Sequence, residues 1–283
     1  MRMYHFLIAA SELKNNLGNP RLIIFDCRFD LLHPESGLMD YQKEHIPGAR
    51  YADLNNDLAG SPTHTSGNHP LPDRDKFTEF LSRNGVNSSK QIVVYDSVGG
   101  AYAVRLWWLL IGYGHKNVAI LDGGFTFWKS MNFSVDPNQE KVAPSNFHSG
   151  FNPDLVVNIT EMENMITEED FLIVDARSPE RFRGEIEPYY SIAGHIPGSS
   201  NLFYQNNFDK SSRFLSKIEL IAQYKTLISG RDPEKVIFYC GSGVTSLLNH
   251  FSMQMIGMKG SRVYIGSWSE WIKHHPDKIA TGK

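Results

Sequence analysis

Short apolar runs alternate along this chain with longer segments of helical spacing. The runs lack the strict alternation of a half-exposed strand, which indicates strands buried on both faces of a parallel sheet. They lie at residues 92–95, 118–121, 172–174 and 236–239. Segments of helical spacing, which supply the crossovers that parallel strands require, lie at residues 103–113, 217–228 and 245–256. The pattern predicts an α/β fold with its ligand site at the carboxyl ends of the strands.

The same pattern occurs twice along the chain. Each copy contains an apolar run ending in Asp-x-Arg and an identical His-Ile-Pro-Gly segment. The matching pairs are 22–28 with 171–177, 45–48 with 195–198, 91–96 with 235–240, and 124–128 with 267–271. Four matches in the same order indicate a tandem duplication. We therefore expect two tandem domains, each a mainly parallel sheet flanked by helices.

The region between the two copies has the composition of an exposed linker. Residues 134–153 contain Pro137, Pro144 and Pro153 and show no sustained apolar period. The expected boundaries are an N-terminal domain at 1–136, a linker at 137–153 and a C-terminal domain at 154–283.

Composition and charge narrow the classes of function. The chain has 283 residues, of which 41% are hydrophobic and 21% charged, with a formal net charge of -3. These values are typical of a soluble globular protein and do not favour nucleic acid as a partner. The longest early apolar run, residues 6–10, is too short for a signal peptide or a membrane span. With only Cys27 and Cys240, no disulfide framework is expected, and a cytoplasmic location fits.

Cys240 has the sequence context of a reactive thiol. A predicted strand ends just before it, and Gly241 and Gly243 let the backbone curl before a helix that begins near Thr245. Backbone N–H groups in such a loop, together with the helix N-terminus, stabilise an anion and lower the pKa of a thiol. Cys27 lies at the end of an apolar run, and we interpret it as a structural thiol because its counterpart is Ala176.

The loop Cys-Gly-Ser-Gly-Val-Thr resembles that of the rhodanese superfamily, in particular its mercaptopyruvate sulfurtransferase branch. The two Asp-x-Arg runs, both His-Ile-Pro-Gly segments and the motif Gly-Ser-Trp-Ser-Glu-Trp at 266–271 extend the resemblance over nearly the whole chain. It implies a ping-pong reaction in which Cys240 takes a sulfane sulfur from 3-mercaptopyruvate or thiosulfate and passes it to a thiophilic acceptor. The acceptor class includes cyanide, glutathione, thioredoxin and other proteins. No metal or organic cofactor is expected.

The resemblance also implies roles for individual residues. Ser242 matches a hydroxyl beside the nucleophile, and in some relatives it belongs to a Ser-His-Asp relay whose nearest matches here are His69 and Asp57 in the first copy. Arg181 matches an arginine that binds the anionic donor, whereas a second arginine usual in mercaptopyruvate enzymes is missing from residues 185–191. The residues expected to hold the substrate or persulfide are Arg181, Gly241, Gly243, Val244 and Thr245. Thr245 is alternatively a helix cap.

Several other polar residues have a structural interpretation. The Asp-x-Arg pairs occur in both copies, so we expect a structural ion pair in each, and we expect His45 and His195 to belong to turns. Trp268 and Trp271 are expected to pack in a core or between domains. In the first copy Asp96 takes the place of Cys240, which predicts that this copy is inactive.

Two alternatives belong to other classes of function. A cysteine phosphatase of this fold needs an arginine where Ser246 stands, and this disfavours it. A tandem module that relays sulfur or regulates a partner without turning over small donors stays open. The oligomeric state is not readable from the sequence.

Overall fold

Two parallel sheets form the core of the chain, one in each of two compact units. A computed structural model describes residues 2–139 and 142–282. The first unit comprises Met1–Gly60, Pro72–Asn152 and Phe208–Phe214, and the second comprises Ser61–Leu71, Pro153–Asn207 and Leu215–Lys283. Part of the predicted linker, residues 140 and 141, lies outside the described residues. Within the described ranges, no helix is both long and apolar enough to cross a membrane.

The first unit has a five-stranded sheet with the order β1-β5-β4-β2-β3, and every pairing is parallel. Its strands are β1 (Leu7–Ile8), β2 (Leu22–Asp26), β3 (Ala49–Tyr51), β4 (Gln91–Tyr95) and β5 (Val118–Leu121). Its helices are α1 (Ala10–Lys14), α2 (Ser36–Lys43), α3 (Arg74–Arg83), α4 (Ala103–Gly112) and α5 (Gly124–Ser130). The central strand β4 is buried along its whole length, which explains its uninterrupted apolar sequence.

The second unit repeats this topology with the order β6-β10-β9-β7-β8, again all parallel. Its strands are β6 (Val156–Val157), β7 (Leu172–Asp175), β8 (Ser200–Asn201), β9 (Val236–Tyr239) and β10 (Arg262–Tyr264). Its helices are α6 (Ile159–Met165), α7 (Pro179–Phe182), α8 (Lys217–Ile228), α9 (Ser246–Met255) and α10 (Ser267–His274). Three short 3-10 turns lie at Pro153–Leu155, Tyr204–Asn207 and Pro233–Lys235. The predicted α/β fold with two parallel sheets is confirmed.

The Asp-x-Arg motifs form the expected ion pairs. Arg28 Nη2 lies 2.6 Å from Asp26 Oδ2, and Arg177 Nη2 lies 2.6 Å from Asp175 Oδ2. All four residues are buried, and each arginine also donates to a backbone carbonyl, of Glu44 or Gly194. Because a buried charge without its partner is costly, these pairs fix the carboxyl ends of β2 and β7.

The histidines and tryptophans of the repeat are structural. His45 Nδ1 contacts the carbonyl of Tyr41 at 2.7 Å, and His195 Nδ1 contacts that of Phe182 at 2.6 Å. Both histidines are buried. Trp268 and Trp271 are fully buried in the apolar core of the second unit, together with Tyr239 at the end of β9.

Candidate active site

Cys240 follows directly after β9, and its residue is 2% exposed. The loop that starts with it depends on two glycines. Gly243 has a φ of +76°, and a Cβ there would lie 2.1 Å from the carbonyl oxygen of Ile265. A Cβ on Gly241 would lie 2.7 Å from the hydroxyl of Tyr190. A larger residue at either position therefore cannot be placed without moving the loop or its neighbours.

The first turn of α10 holds the loop in place. The backbone N–H groups of Trp268 and Ser269 donate to the carbonyls of Cys240 (3.0 Å) and Gly241 (2.9 Å). Ser267 Oγ accepts from the backbone N–H of Cys240 at 3.1 Å and donates to the Tyr264 carbonyl at 2.9 Å. The carbonyls of Cys240 and Gly241 are thus bound by α10, and the backbone N–H groups of Ser242 and Ser246 donate to the sulfur.

Hydrogen bonds make the Cys240 thiol more acidic than an ordinary cysteine. Burial raises its pKa, but hydrogen bonds from the Thr245 hydroxyl and from the backbone N–H groups of Ser246 and Ser242 outweigh burial, so the net pKa is lowered. Thr245 stands at the N-cap of α9 without making a side-chain cap hydrogen bond. Its hydroxyl therefore serves the sulfur instead of the helix terminus.

Ser242 and His69 form a hydrogen-bonded pair beside the nucleophile. His69 Nδ1 lies 2.8 Å from Ser242 Oγ, and both residues are buried. His69 lies within the first repeat, yet its segment, Ser61–Leu71, groups with the second unit. The structure therefore brings two of the sequence-predicted residues together with Cys240.

Contacts with α10 hold the His69 segment. The backbone N–H of Asn68 donates to Ser269 Oγ at 3.0 Å. Lys273 Nζ donates to the carbonyls of Ser66 (2.7 Å) and Thr63 (3.2 Å). The same helix thus supports both the nucleophile loop and the histidine.

Asp57, the third predicted member of the relay, has partners within the first unit. Its Oδ1 accepts from Arg83 Nη2 at 2.5 Å, and its Oδ2 accepts from the backbone N–H of Asp53 at 3.0 Å. Burial raises the pKa of this carboxyl, and the Asp53 N–H and Arg83 lower it. A catalytic part for Asp57 stays a prediction.

Arg181 belongs to a four-member charge cluster in the second unit. Its Nε and Nη2 bind Glu187 at 2.8–3.2 Å, and Glu187 Oε2 also accepts from Arg177 Nη1 at 3.1 Å. The Glu187 side chain is 3% exposed and that of Arg181 15%. With Asp175 on Arg177, two carboxylates balance two guanidinium groups. The cluster is neutral before any donor arrives.

Sequence reasoning missed three residues at this site: Ser246, Glu187 and Tyr190. Tyr190 lies in the stretch where a second arginine is expected, and this position could have pointed to it. Ser246 stands where a cysteine phosphatase has its arginine, which could likewise have pointed to it. Both lie close to Cys240. Glu187 gave no signal, because one acidic residue in a charged loop has no pattern that predicts burial.

In the first unit, Asp96 fills the position of Cys240 with its own negative charge. Asp96 Oδ1 accepts from the backbone N–H groups of Val98 and Gly100, and Oδ2 accepts from those of Tyr102 and Ala103, at 2.8–2.9 Å. The carboxylate therefore occupies the cradle that in the second unit surrounds the sulfur. That this copy is inactive stays a prediction.

Cys27 has surroundings opposite to those of Cys240. Burial raises its pKa well above the ordinary value, and the carboxylates of Asp26, Asp96 and Asp57 raise it further.

Residues 2–139 and 142–282 contain no group of three or more His, Cys, Asp or Glu side chains arranged to hold a metal ion.

Comparisons with known proteins give one family. The sequence profile of the Rhodanese-like domain matches residues 9–131 and again residues 158–274. A Pseudomonas aeruginosa protein named "Probable 3-mercaptopyruvate sulfurtransferase" is 37% identical over 278 residues, which cover 98% of both chains. The human 3-mercaptopyruvate sulfurtransferase is 31% identical, over 85% of this chain and 81% of the human one.

Solved structures of the same class have a closely similar fold. The 3-mercaptopyruvate sulfurtransferase from Leishmania major superposes with a TM-score of 0.84 at 28% identity, covering 97% of this chain and 76% of that chain. SseA from Escherichia coli, described as a 3-mercaptopyruvate sulfotransferase, gives 0.81 at 28% identity, with coverages of 94% and 100%.

Proposed function

Because this chain belongs to the rhodanese family and is a sulfurtransferase, we propose that it takes sulfur from 3-mercaptopyruvate in preference to thiosulfate and carries it as a persulfide on Cys240. The observation that carries the preference is the hydrogen bond between Ser242 and His69 beside the sulfur. A hydroxyl–imidazole pair can move a proton, which the carbon leaving group of mercaptopyruvate needs and sulfite does not. The names of the Pseudomonas aeruginosa and human relatives support the same donor.

The first half-reaction loads the enzyme. The Cys240 thiolate attacks the sulfur of mercaptopyruvate, an S–S bond forms, and the electron pair of the C–S bond leaves with the carbon as pyruvate enolate. The proton carried in on the donor sulfur passes to the enolate carbon, which leaves pyruvate and the persulfide anion of Cys240. The lowered pKa of Cys240 increases the fraction of thiolate available for this attack.

The second half-reaction unloads it. An acceptor thiolate or cyanide attacks the outer sulfur, the S–S bond breaks, and its electron pair restores the Cys240 thiolate. Small thiols, cyanide and thioredoxin are the acceptors we propose, and the two free cysteines fit a cytoplasmic location.

The remaining predicted residues take supporting roles in this proposal. Backbone N–H groups of the loop and the Thr245 hydroxyl hold the persulfide anion. The loop residues proposed to hold the persulfide are Gly241, Gly243, Val244 and Thr245. Arg181 offers the donor carboxylate its Nη1, since Glu187 binds Nε and Nη2. Asp57 is proposed to act through His69, and the domains are proposed to divide at the 137–153 linker.

The Cys240→Ser variant tests the proposal. We expect it to fold normally and to lose sulfur transfer from both donors, because an alcohol at this position forms no persulfide. For the wild type we expect kcat/KM for 3-mercaptopyruvate to exceed that for thiosulfate. Residual transfer in Cys240→Ser contradicts the nucleophile. Tight binding of a partner protein with negligible turnover of small donors would instead favour a sulfur relay.

A further inference from the structure

Tyr190 places a phenol hydroxyl at the nucleophile loop. Its ring packs against the apolar core of the second unit that contains Tyr239 and Trp268. Its hydroxyl lies 2.7 Å from the position that a Gly241 Cβ would take, so it lies directly against the loop backbone. Cys240 and Ser242 both lie close enough to this hydroxyl to shift its pKa.

The surroundings of this hydroxyl keep it protonated. Burial and the nearby Cys240 raise the pKa of Tyr190 to about 12, although Ser242 and Arg181 act in the opposite direction. At neutral pH the phenol is therefore an O–H donor next to the sulfur.

The neighbouring Arg181 guanidinium attracts an incoming anion only weakly, because its charge is already neutralised. The Arg181 guanidinium lies 4.8 Å from the ring centre of Tyr189 and 5.7 Å from that of Tyr190, and Glu187 neutralises it. A donor with a dispersed double negative charge therefore meets little net positive charge here. A donor whose negative charge develops on one oxygen during the reaction can instead accept a hydrogen bond from the Tyr190 hydroxyl on that oxygen.

We propose that Tyr190 is a specificity-determining residue that favours α-keto thiol donors by donating its hydroxyl hydrogen bond to the ketone oxygen. This rests on the proposed function. As the C–S bond breaks, its electron pair forms the enolate, whose charge resides on that oxygen, and the phenol stabilises it without giving up its proton. The bond strengthens as charge develops, so it lowers the barrier more than it tightens binding.

Thiosulfate provides the contrast. Its leaving group is sulfite, which departs with the S–S electron pair and needs no proton at carbon. Its charge is spread over three oxygens, so one neutral donor contributes a smaller share of its stabilisation. Loss of the Tyr190 hydroxyl should therefore lower kcat for 3-mercaptopyruvate more than kcat for thiosulfate.

The test compares Tyr190→Phe with the wild type in the sulfur-loading half-reaction. Pyruvate release from 3-mercaptopyruvate and sulfite release from thiosulfate are measured separately. We expect kcat for 3-mercaptopyruvate to fall by about tenfold to a hundredfold with little change in KM, and kcat for thiosulfate to change by less than about threefold. Tyr189→Phe, which removes a hydroxyl from the exposed neighbouring ring, is the matched control and should leave both rates unchanged.

Equal losses with the two donors would overturn the proposal, because they indicate a role in shaping the loop or activating the thiol. Unchanged rates with both donors would overturn it as well. Failure of the proposed function looks different, because it is seen in the wild type: Cys240 would gain no sulfur from either donor, or kcat/KM for thiosulfate would exceed that for 3-mercaptopyruvate. Thermal unfolding of Tyr190→Phe checks that the ring still packs.

Discussion

The sulfur of Cys240 lies in an almost fully buried residue, and burial alone would raise the pKa of a thiol because it disfavours the charged form. The net direction is the opposite, since the Thr245 hydroxyl and the backbone N–H groups of Ser242 and Ser246 donate to the sulfur. Reactivity at this position is thus a property of a few hydrogen bonds. The bond from the Thr245 side chain can be removed by a single substitution.

Thr245→Val removes one of these bonds with little change in shape. We expect the pKa of Cys240 to rise, so that the pH at which the thiolate forms moves upward and alkylation by iodoacetamide at neutral pH slows by about tenfold. The rate of alkylation measured against pH checks the direction. Thr226→Val, at an exposed position on α8, is the matched control and should leave the profile unchanged. A downward shift of the profile would contradict the assigned donors.

At the scale of elements, what could be read from the sequence followed from local pattern. The predicted strand at 236–239 and helix at 217–228 coincide with β9 and α8, because apolar runs and helical spacing are properties of consecutive residues. The contact between His69 and Ser242 joins residues 173 positions apart through a polar segment without periodicity. Such contacts depend on tertiary packing, so only the resemblance pointed to them.

The nucleophile loop and its counterpart after β4 are one element used in two ways. In the second unit its donors surround a sulfur, and in the first they are saturated by the Asp96 carboxylate. Both copies therefore keep the loop with its backbone N–H donors, and they differ in the group that accepts from these donors. Asp96 is therefore as important for the stability of its loop as Cys240 is for the reaction.

Asp96→Ala should destabilise the chain strongly. The change leaves four backbone N–H groups, two of them in buried hydrogen bonds and two in partly buried ones, without their acceptor, and we expect a loss of about 3 kcal/mol in the free energy of unfolding. Urea unfolding followed by circular dichroism measures it. Asp75→Ala removes an exposed carboxylate from the same unit and should cost less than about 0.5 kcal/mol. Equal midpoints for the two variants would show that the carboxylate does not hold the loop.

For the molecule as a whole, the two copies differ in what their thiols can do, although Cys27 and Cys240 are almost equally buried. Burial, with the nearby carboxylates added to it, raises the pKa of Cys27, whereas hydrogen-bond donors outweigh burial at Cys240 and lower its pKa. We therefore expect 3-mercaptopyruvate to add one sulfur atom per chain, located on Cys240 and removable with cyanide. Intact-mass and peptide mass spectrometry measure the number and the position.

Cys27→Ala is the matched variant for this measurement, because alanine already occupies the equivalent position 176 in the second copy. It should load sulfur to the same extent as the wild type, since Cys27 has no part in the transfer. A mass increase of two sulfur atoms in the wild type, or half the loading in Cys27→Ala, would mean that burial among carboxylates does not silence the first thiol. In that case both thiols would carry sulfur, and the different surroundings of the two sulfur atoms would not decide which copy reacts.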